Sequence, residues 1–506
     1  MSATAGQAGG RGPGEAYLAL ERFLTASREP ILLEDGEPPL PLRAGEYAIG
    51  RRPACLLLEA WDQTRNLARR VTGVEEERSG RLVLRIERFG RRPGTLVLVD
   101  AARRAGYGAD RRGNRAAFRE QFRRFLRRQF VDWRIAELTT EPSLEHSLSP
   151  AYSRAFLKKG AAGWAALGVP PGDAEPSHGL SFGLIWLDYL RRRERRTMVE
   201  GLALFLPGGR HQSSCLRLRF LNAASAQWAV FVYSGDGQEE RLDPRDWGNL
   251  DTRLEPCVKP VIPPDHAAWI EGLRKNREVE IIETGDASLS LRVRGLEFAR
   301  LRGGSLTFGL EKQVRGDAAN FAEVERLAAG IARLRSAGSP DRGNPLWRRH
   351  PERWLESQVR ANLETLDATL WKEPVYGQVP AVAGVERGVI DLLAADRGGR
   401  LAVLELKASQ DLHLPLQALD YWMRVKWHAG RGEFAARGYF PGIPLIPAPP
   451  RLILVAPAME FHPTTEAILR HFDPGIGVER LGLAVEWRKG VEVALRARGA
   501  RSPMWR

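Results

Sequence analysis

Two short apolar runs, residues 389–395 (VIDLLAA) and 401–408 (LAVLELKA), are separated only by Asp396, Arg397, Gly398, Gly399 and Arg400. A glycine-bearing loop between two runs of strand length predicts a β-hairpin. With that loop Ala395 pairs with Leu401, and counting back sets Asp391 opposite Glu405. Directly opposed side chains share a face with Cβ atoms about 5 Å apart, where like charges repel. A divalent cation would remove that repulsion. Lys407 projects on the same side, because strand side chains repeat every second residue. The alternate residues Ile390, Leu392, Leu404 and Leu406 are apolar and are predicted to face the other layer. One face of the hairpin is therefore ionic and the other is core. A bulge in the turn would shift the pairing by one residue and leave the Glu405/Lys407 relation intact.

The surrounding order is readable. A helix is predicted to start at Pro351, a good first helical position, and to run through residue 366. A strand around residues 375–379 precedes the hairpin. Pro415 opens a second helix that reaches His428, residues 450–459 form a buried strand, residues 464–472 a helix, and residues 481–488 a last strand. The first helix carries an apolar stripe of Leu355, Val359, Leu363 and Leu366. At 100° per residue Glu356 projects about 20° from Leu363, inside that stripe, where a carboxylate needs a partner. Glu352 lies on nearly the same face and is explained by the helix N-terminus. In the second helix Gln417 and Tyr421 are spaced i, i+4, and Arg424 and His428 extend the same face.

These residues resemble the PD-(D/E)XK nuclease superfamily, which carries an acid on one strand and an E-x-K or D-x-K triplet on the next. Asp391 matches the first, and Glu405, Leu406 and Lys407 match the second. Gln417 and Tyr421 resemble the Q-x-x-x-Y motif of the RecB-like branch, here without the four cysteines of its iron–sulfur members. The resemblance spans Pro351 to Ala458. It implies a helix glutamate at the site, for which Glu356 is the candidate. It also implies Mg²⁺ or Mn²⁺ held by Asp391, Glu405 and the Leu406 carbonyl, with a second ion near Glu356. Lys407 would orient the nucleophile or stabilise phosphoryl charge, and the product would carry a 5′-phosphate. Arg424 and His428 would orient a phosphate backbone.

The expected fold class is α/β: a restriction-endonuclease-like mixed sheet flanked by helices over residues 346–506, preceded by a β-rich unit and an α/β region. In the 506-residue chain the remaining segments divide into a disordered tail (1–14), a small β-rich unit (15–110), an α/β region (111–258) and a β-rich linking domain with a helix (259–345). Residues 16–27 read as a short helix, residues 178–196 as a buried helix with a cationic end, and residues 198–207, 215–221 and 228–234 as strands. Residues 317–336 form a helix striped with Phe321, Val324, Leu327, Ile331 and Leu334. Tandem repeats are not evident.

The segment NRAAFREQFRRFLRRQF places Phe118, Phe122 and Phe125 or Leu126 on one helical face and arginines around it. Arg119, Arg123 and Arg127 are the candidates there for phosphate contact, against an ordinary solvated face. Lys plus Arg number 76 against 62 acidic residues, a net charge of +14. That excess favours a polyanionic partner, although a GC-rich coding sequence would enrich arginine too.

Three well-separated cysteines suit a reducing compartment and exclude a disulfide framework. No apolar run reaches the roughly 18 residues of a membrane span, and the N-terminus has no signal-peptide core, so a cytoplasmic protein without a membrane partner is expected. No Walker motif or zinc-protease histidine spacing is present. The function expected is a metal-dependent deoxyribonuclease of bacterial defence or DNA repair, with RNA left open as a substrate. Residues 1–345 would bind nucleic acid or a protein partner. The alternative is a catalytically silent nuclease-fold subunit that binds nucleic acid or a protein.

Overall fold

The computed structural model describes residues 13–34, 40–42, 47–52, 55–61, 66–78, 80–88, 92–100, 107–143, 145–171, 178–235, 237–244, 252–383, 386–500 and 504–505. Most of the expected N-terminal tail lies outside these residues. The protein is mixed α/β and separates into two compact units: residues 1–112 with 309–314, and the remainder.

In the first unit Ala16, Ala19, Leu20 and Phe23 recur at helical spacing and form the apolar side of helix Pro13–Ala26. Their partner is one face of a seven-stranded sheet in which every described pairing is antiparallel; Leu56, Leu58, Leu82, Leu84, Leu96 and Leu98 alternate into the shared core.

The second unit contains the basic helix from Gly113 onward and the candidate site. Helix Tyr107–Gln129 buries Phe118, Phe122, Phe125 and Leu126 against a six-stranded sheet. The order across that sheet is Glu239–Leu242, Gln227–Tyr233, Met198–Pro207, Ala162–Gly168, Ser153–Lys159 and Arg134–Thr139. Helix His178–Arg193 covers the opposite face. Residues 215–221, expected as a strand, instead belong largely to helix Gln212–Leu218. Ser214, Cys215, Arg217 and Leu218 are its buried positions, and their i, i+1, i+3, i+4 spacing is helical. A smaller antiparallel sheet includes Glu280–Thr284, Ser288–Val293, Leu296–Arg302 and Ser305–Phe308, and helix Phe321–Leu334 packs on it through Val324, Ala328 and Ile331.

The C-terminal sheet has eight strands in sequence order, from Thr252–Leu254 through Tyr376–Ala383, Glu386–Ala395, Leu401–Leu406, Arg451–Pro457, Val478–Leu483 and Val493–Arg498 to Met504–Trp505. The strand at residues 481–488 is thus neither last nor in its expected frame: it starts at Val478 and two more strands follow. The first helix stops at Ala361 rather than continuing to residue 366. There the Asn362 side chain donates to the Gln358 carbonyl at 2.8 Å, a local bond that competes with the helical ladder. A single turn, Leu363–Leu366, follows.

Strand alternation sends Leu392, Leu404 and Leu406 against Trp354, Leu355 and Val359 of helix Pro351–Ala361. It sends Leu393, Leu401 and Val403 against Leu416 and Leu419 of helix Leu414–Ala429. Ile390 joins this second cluster rather than the first, contrary to simple alternation. The same cluster includes Leu184, Leu187 and Leu204 from the preceding α/β region. Together with the edge strand Thr252–Leu254, this joins into one core two regions expected to fold separately.

Candidate active site

The turn length fixes the register of the hairpin. Ala395 pairs with Leu401, and the ladder runs to Leu392 opposite Leu404. The ladder ends there, and Asp391 and Glu405 are the next residues along the two strands. The turn is closed by the Asp396 N–H donating to the Arg400 carbonyl at 2.8 Å, while the Asp396 carboxylate accepts the Gly398 and Arg400 N–H groups at 2.9 and 3.0 Å. Gly399 has φ +81°, and a Cβ there would fall 2.1 Å from the Pro444 carbonyl oxygen. Only glycine accommodates both conditions.

Beyond the ladder, Asp391 Oδ2 accepts the Leu406 N–H at 2.9 Å. The Lys407 N–H donates to the Val455 carbonyl of the parallel neighbouring strand at 3.0 Å. The backbone between Glu405 and Lys407 is therefore held from both sides.

Lys407 Nζ lies 3.8 Å from Glu405 Oε1 and 3.6 Å from Asp411 Oδ2. Burial alone would lower its pKa, but Glu352, Glu405, Asp411 and Asp391 hold the ammonium above its ordinary value. Glu405 is 1% exposed, and its Oε2 has no hydrogen-bond partner among the described residues. Burial and then the charge of Asp391 push the Glu405 carboxyl well above the usual carboxylate range. Burial pushes Asp391 up to about 7, against the pull of Lys407 and the Leu406 N–H. Burial also raises Glu352.

Four carboxyl groups around one ammonium would carry an excess of negative charge if all were ionised. In this largely dry setting the raised pKa values of Asp391, Glu405 and Glu352 favour their neutral forms unless a cation is present. Hard oxygen donors suit Mg²⁺ or Mn²⁺. Among the described residues no group of three or more Asp, Glu, His or Cys side chains is placed to hold a metal ion. The carboxylates of Asp391 and Glu405 are hard oxygen donors of the type that Mg²⁺ takes alongside several waters.

Glu356 is ion-paired with arginines, and its charge also helps to raise Asp391. It is 3% exposed, with Oε1 3.4 Å from Arg360 Nη2 and 3.7 Å from Arg292 Nη1, and Oε2 3.0 Å from Arg353 Nη1. Three guanidinium groups thus share this carboxylate. The helix acid bearing most directly on Lys407 is Glu352, one turn earlier, whose position at the helix start also suits the terminal dipole. Asp411, four residues beyond Lys407, is the other acid that sequence reasoning missed. The i, i+4 spacing was visible, but the turn that brings its carboxylate back to Lys407 was not.

Gln417 Nε2 donates to the Tyr421 hydroxyl at 3.3 Å, so the two motif residues stand together. Tyr421 is buried, and burial and then Glu405 raise the pKa of its hydroxyl. Arg424 is itself only 5% exposed; its guanidinium lies 5.7 Å from the Tyr421 ring centroid and has no carboxylate ion pair among the described residues. His428 differs: it is buried, Nδ1 is 2.6 Å from Glu433 Oε2, and Nε2 is 3.2 Å from Thr252 Oγ1. Both ring nitrogens are occupied internally, which leaves neither for the phosphate contact expected of it. Arg119 and Arg123 flank Glu120 at 3.9 and 3.2 Å, and Arg127 is exposed; all three lie on the basic helix and outside this site.

Among the described residues no helix is long and apolar enough to cross a membrane. No protein-family model matches the chain, and no curated protein matches it.

Proposed function

We propose that this protein is a metal-dependent nuclease that hydrolyses phosphodiester bonds, with DNA as the favoured substrate and Asp391 and Glu405 as holders of Mg²⁺ or Mn²⁺. The observation that carries this reading is the tie from Asp391 to the Leu406 N–H, which binds the acid of one strand into the E-x-K segment of the next. The buried, unpartnered Oε2 of Glu405 adds a donor with no other assignment. The order of helix, three antiparallel strands, helix and parallel strand supports a restriction-endonuclease-like arrangement.

A bound cation would lower the pKa of water and polarise the scissile phosphate. Lys407, held protonated, stabilises charge developing on the phosphoryl oxygens. Gln417 fixes the Tyr421 hydroxyl beside the acids, and the guanidinium of Arg424 is available to a neighbouring phosphate. Arg119, Arg123 and Arg127 would add salt-dependent affinity away from the site. The reading places the protein in the cytoplasm, where its nucleic-acid substrate and reduced Cys215 and Cys257 are both expected.

The test is cleavage of end-labelled single-stranded, double-stranded and branched DNA, with RNA controls, in Mg²⁺, Mn²⁺ or chelator. Metal-dependent cleavage supports the proposal; salt-dependent binding with no cleavage in any metal contradicts it and favours a silent binding subunit.

A further inference from the structure

The six-stranded sheet and the C-terminal sheet repeat one topology. In the C-terminal sheet the pairings from Tyr376–Ala383 to Val493–Arg498 run antiparallel, antiparallel, parallel, parallel, antiparallel. In the six-stranded sheet the pairings from Arg134–Thr139 to Glu239–Leu242 follow the same sequence. The helices repeat as well. One precedes each three-strand meander, a long one follows it, and a short one separates the two parallel crossovers.

The registers align residue by residue. The Lys407 N–H donates to the Val455 carbonyl, and the Val169 N–H donates to the Phe205 carbonyl. Glu405 pairs with Leu454 as Leu167 pairs with Leu204. Asp391, the residue just beyond the last pair of its ladder, corresponds to Arg154, which pairs with Leu167. Sequence traces survive in the helices: HQSSCLRLRFLN at 211–222 beside HPTTEAILRHFD at 462–473, and Leu-Asp-Tyr at 187–189 beside 419–421.

The contacts between the two halves are reciprocal. The Asn222 N–H donates to the His471 carbonyl at 2.7 Å, and the Asp473 N–H donates to the Phe220 carbonyl at 2.9 Å. Under the alignment Asn222 matches Asp473 and Phe220 matches His471, so each half gives what it receives. Leu221 bridges Phe472, its own counterpart. Arg217 pairs with Asp420 at 2.6 Å and Arg470 with Asp188 at 3.2 Å; the acids are the matching ones of the two Leu-Asp-Tyr triplets, while the arginines come from matching helices two positions apart, Arg470 aligning with Arg219. His178 and His413, immediately before or at the start of the long helices, stack with ring centroids 3.5 Å apart. Contact of i with j and of j with i is the signature of a two-fold interface.

We infer that residues 107–242 are a second copy of the fold that carries Asp391, Glu405 and Lys407, joined to it about an internal pseudo-two-fold axis and stripped of its site, so that the chain is a built-in dimer with one working centre. Arg154, Leu167 and Val169 occupy the positions of Asp391, Glu405 and Lys407, and all three are buried. No carboxylate pair remains there to hold a cation. Topology and two-fold contacts persist while the site residues differ, which is why a tandem repeat is not evident from the residues alone. The single working centre rests on the nuclease reading; the paired architecture does not.

Two measurements test this on the full-length chain. In the first, Asp420→Arg lowers Tm by several degrees, and adding Arg217→Asp recovers most of the loss; an unchanged Tm in the single variant, or no recovery in the double, overturns the paired architecture. In the second, supercoiled circular DNA is incubated with Mn²⁺. Nicked circles appear first and linear molecules only after a lag, through independent second encounters. Direct conversion to linear DNA at the first turnover overturns the single working centre. Complete absence of cleavage overturns the nuclease reading and with it the working centre, while the charge-reversal result still decides the architecture.

Discussion

Asp391 Oδ2 accepts the Leu406 N–H at 2.9 Å, so an acid on one strand grips the backbone between Glu405 and Lys407 on the next. The bond spends one carboxylate oxygen and orients the other. Around it sit Glu352, Glu405 and Asp411, with Lys407 as the cation they share.

Glu352 and Glu356 have opposite consequences when neutralised. Glu356→Gln leaves Arg292, Arg353 and Arg360 without their common partner and costs about 3 kcal/mol, the scale of breaking a buried ion pair from one side. Thermal unfolding without metal reads this as a clear fall in Tm. Glu352→Gln leaves Tm near wild type and weakens Mn²⁺ binding measured by calorimetry.

The metal-free protein loses stability as pH rises. Asp391 is raised from its ordinary value to about 7, and Glu405 and Glu352 are raised as well. The folded state therefore favours their protonated forms: this contribution is complete below the ordinary carboxylate pKa and is lost as pH rises through the folded values. Tm in chelator is expected to fall between about pH 5 and pH 8, with Mn²⁺ restoring it at pH 8 and changing little at pH 5. Asp391→Asn flattens the profile; a wild-type profile that rises over this range contradicts the assignment.

The hairpin turn tolerates no side chain at residue 399. Gly399→Ala combines a left-handed backbone with a Cβ 2.1 Å from the Pro444 carbonyl oxygen, and it costs roughly 1–3 kcal/mol as strain. Hydrogen exchange at Ala402 and Val403 reports the loosened ladder.

Arg424 and His428 separate binding from packing. Arg424→Ala weakens DNA binding at low salt and lowers the slope of log K against log salt by about one, the effect of one lost phosphate contact. His428→Ala instead lowers Tm, because its ring bonds Glu433 and Thr252, and it leaves the salt slope unchanged.

The hairpin register was readable because a five-residue loop between two apolar runs leaves one sensible pairing, and Ala395 does pair with Leu401. The juxtaposition of Gln417 and Tyr421 followed from helical spacing alone. What escaped depends on distant chain. Arg292, which pairs with Glu356 at the edge of the acid cluster, comes from a separate sheet. Thr252, which engages His428, belongs to an edge strand contributed from far upstream. Residues 215–221 alternate enough to suggest a strand, and only their packing settles them as a helix.

The most direct measurement is the single-turnover cleavage rate of DNA in Mn²⁺ for wild type and Asp391→Asn, with Tm recorded for both. The site described here predicts a loss of about a hundredfold or more in the variant, with folding retained. Equal rates would remove Asp391 from the chemistry and contradict the site.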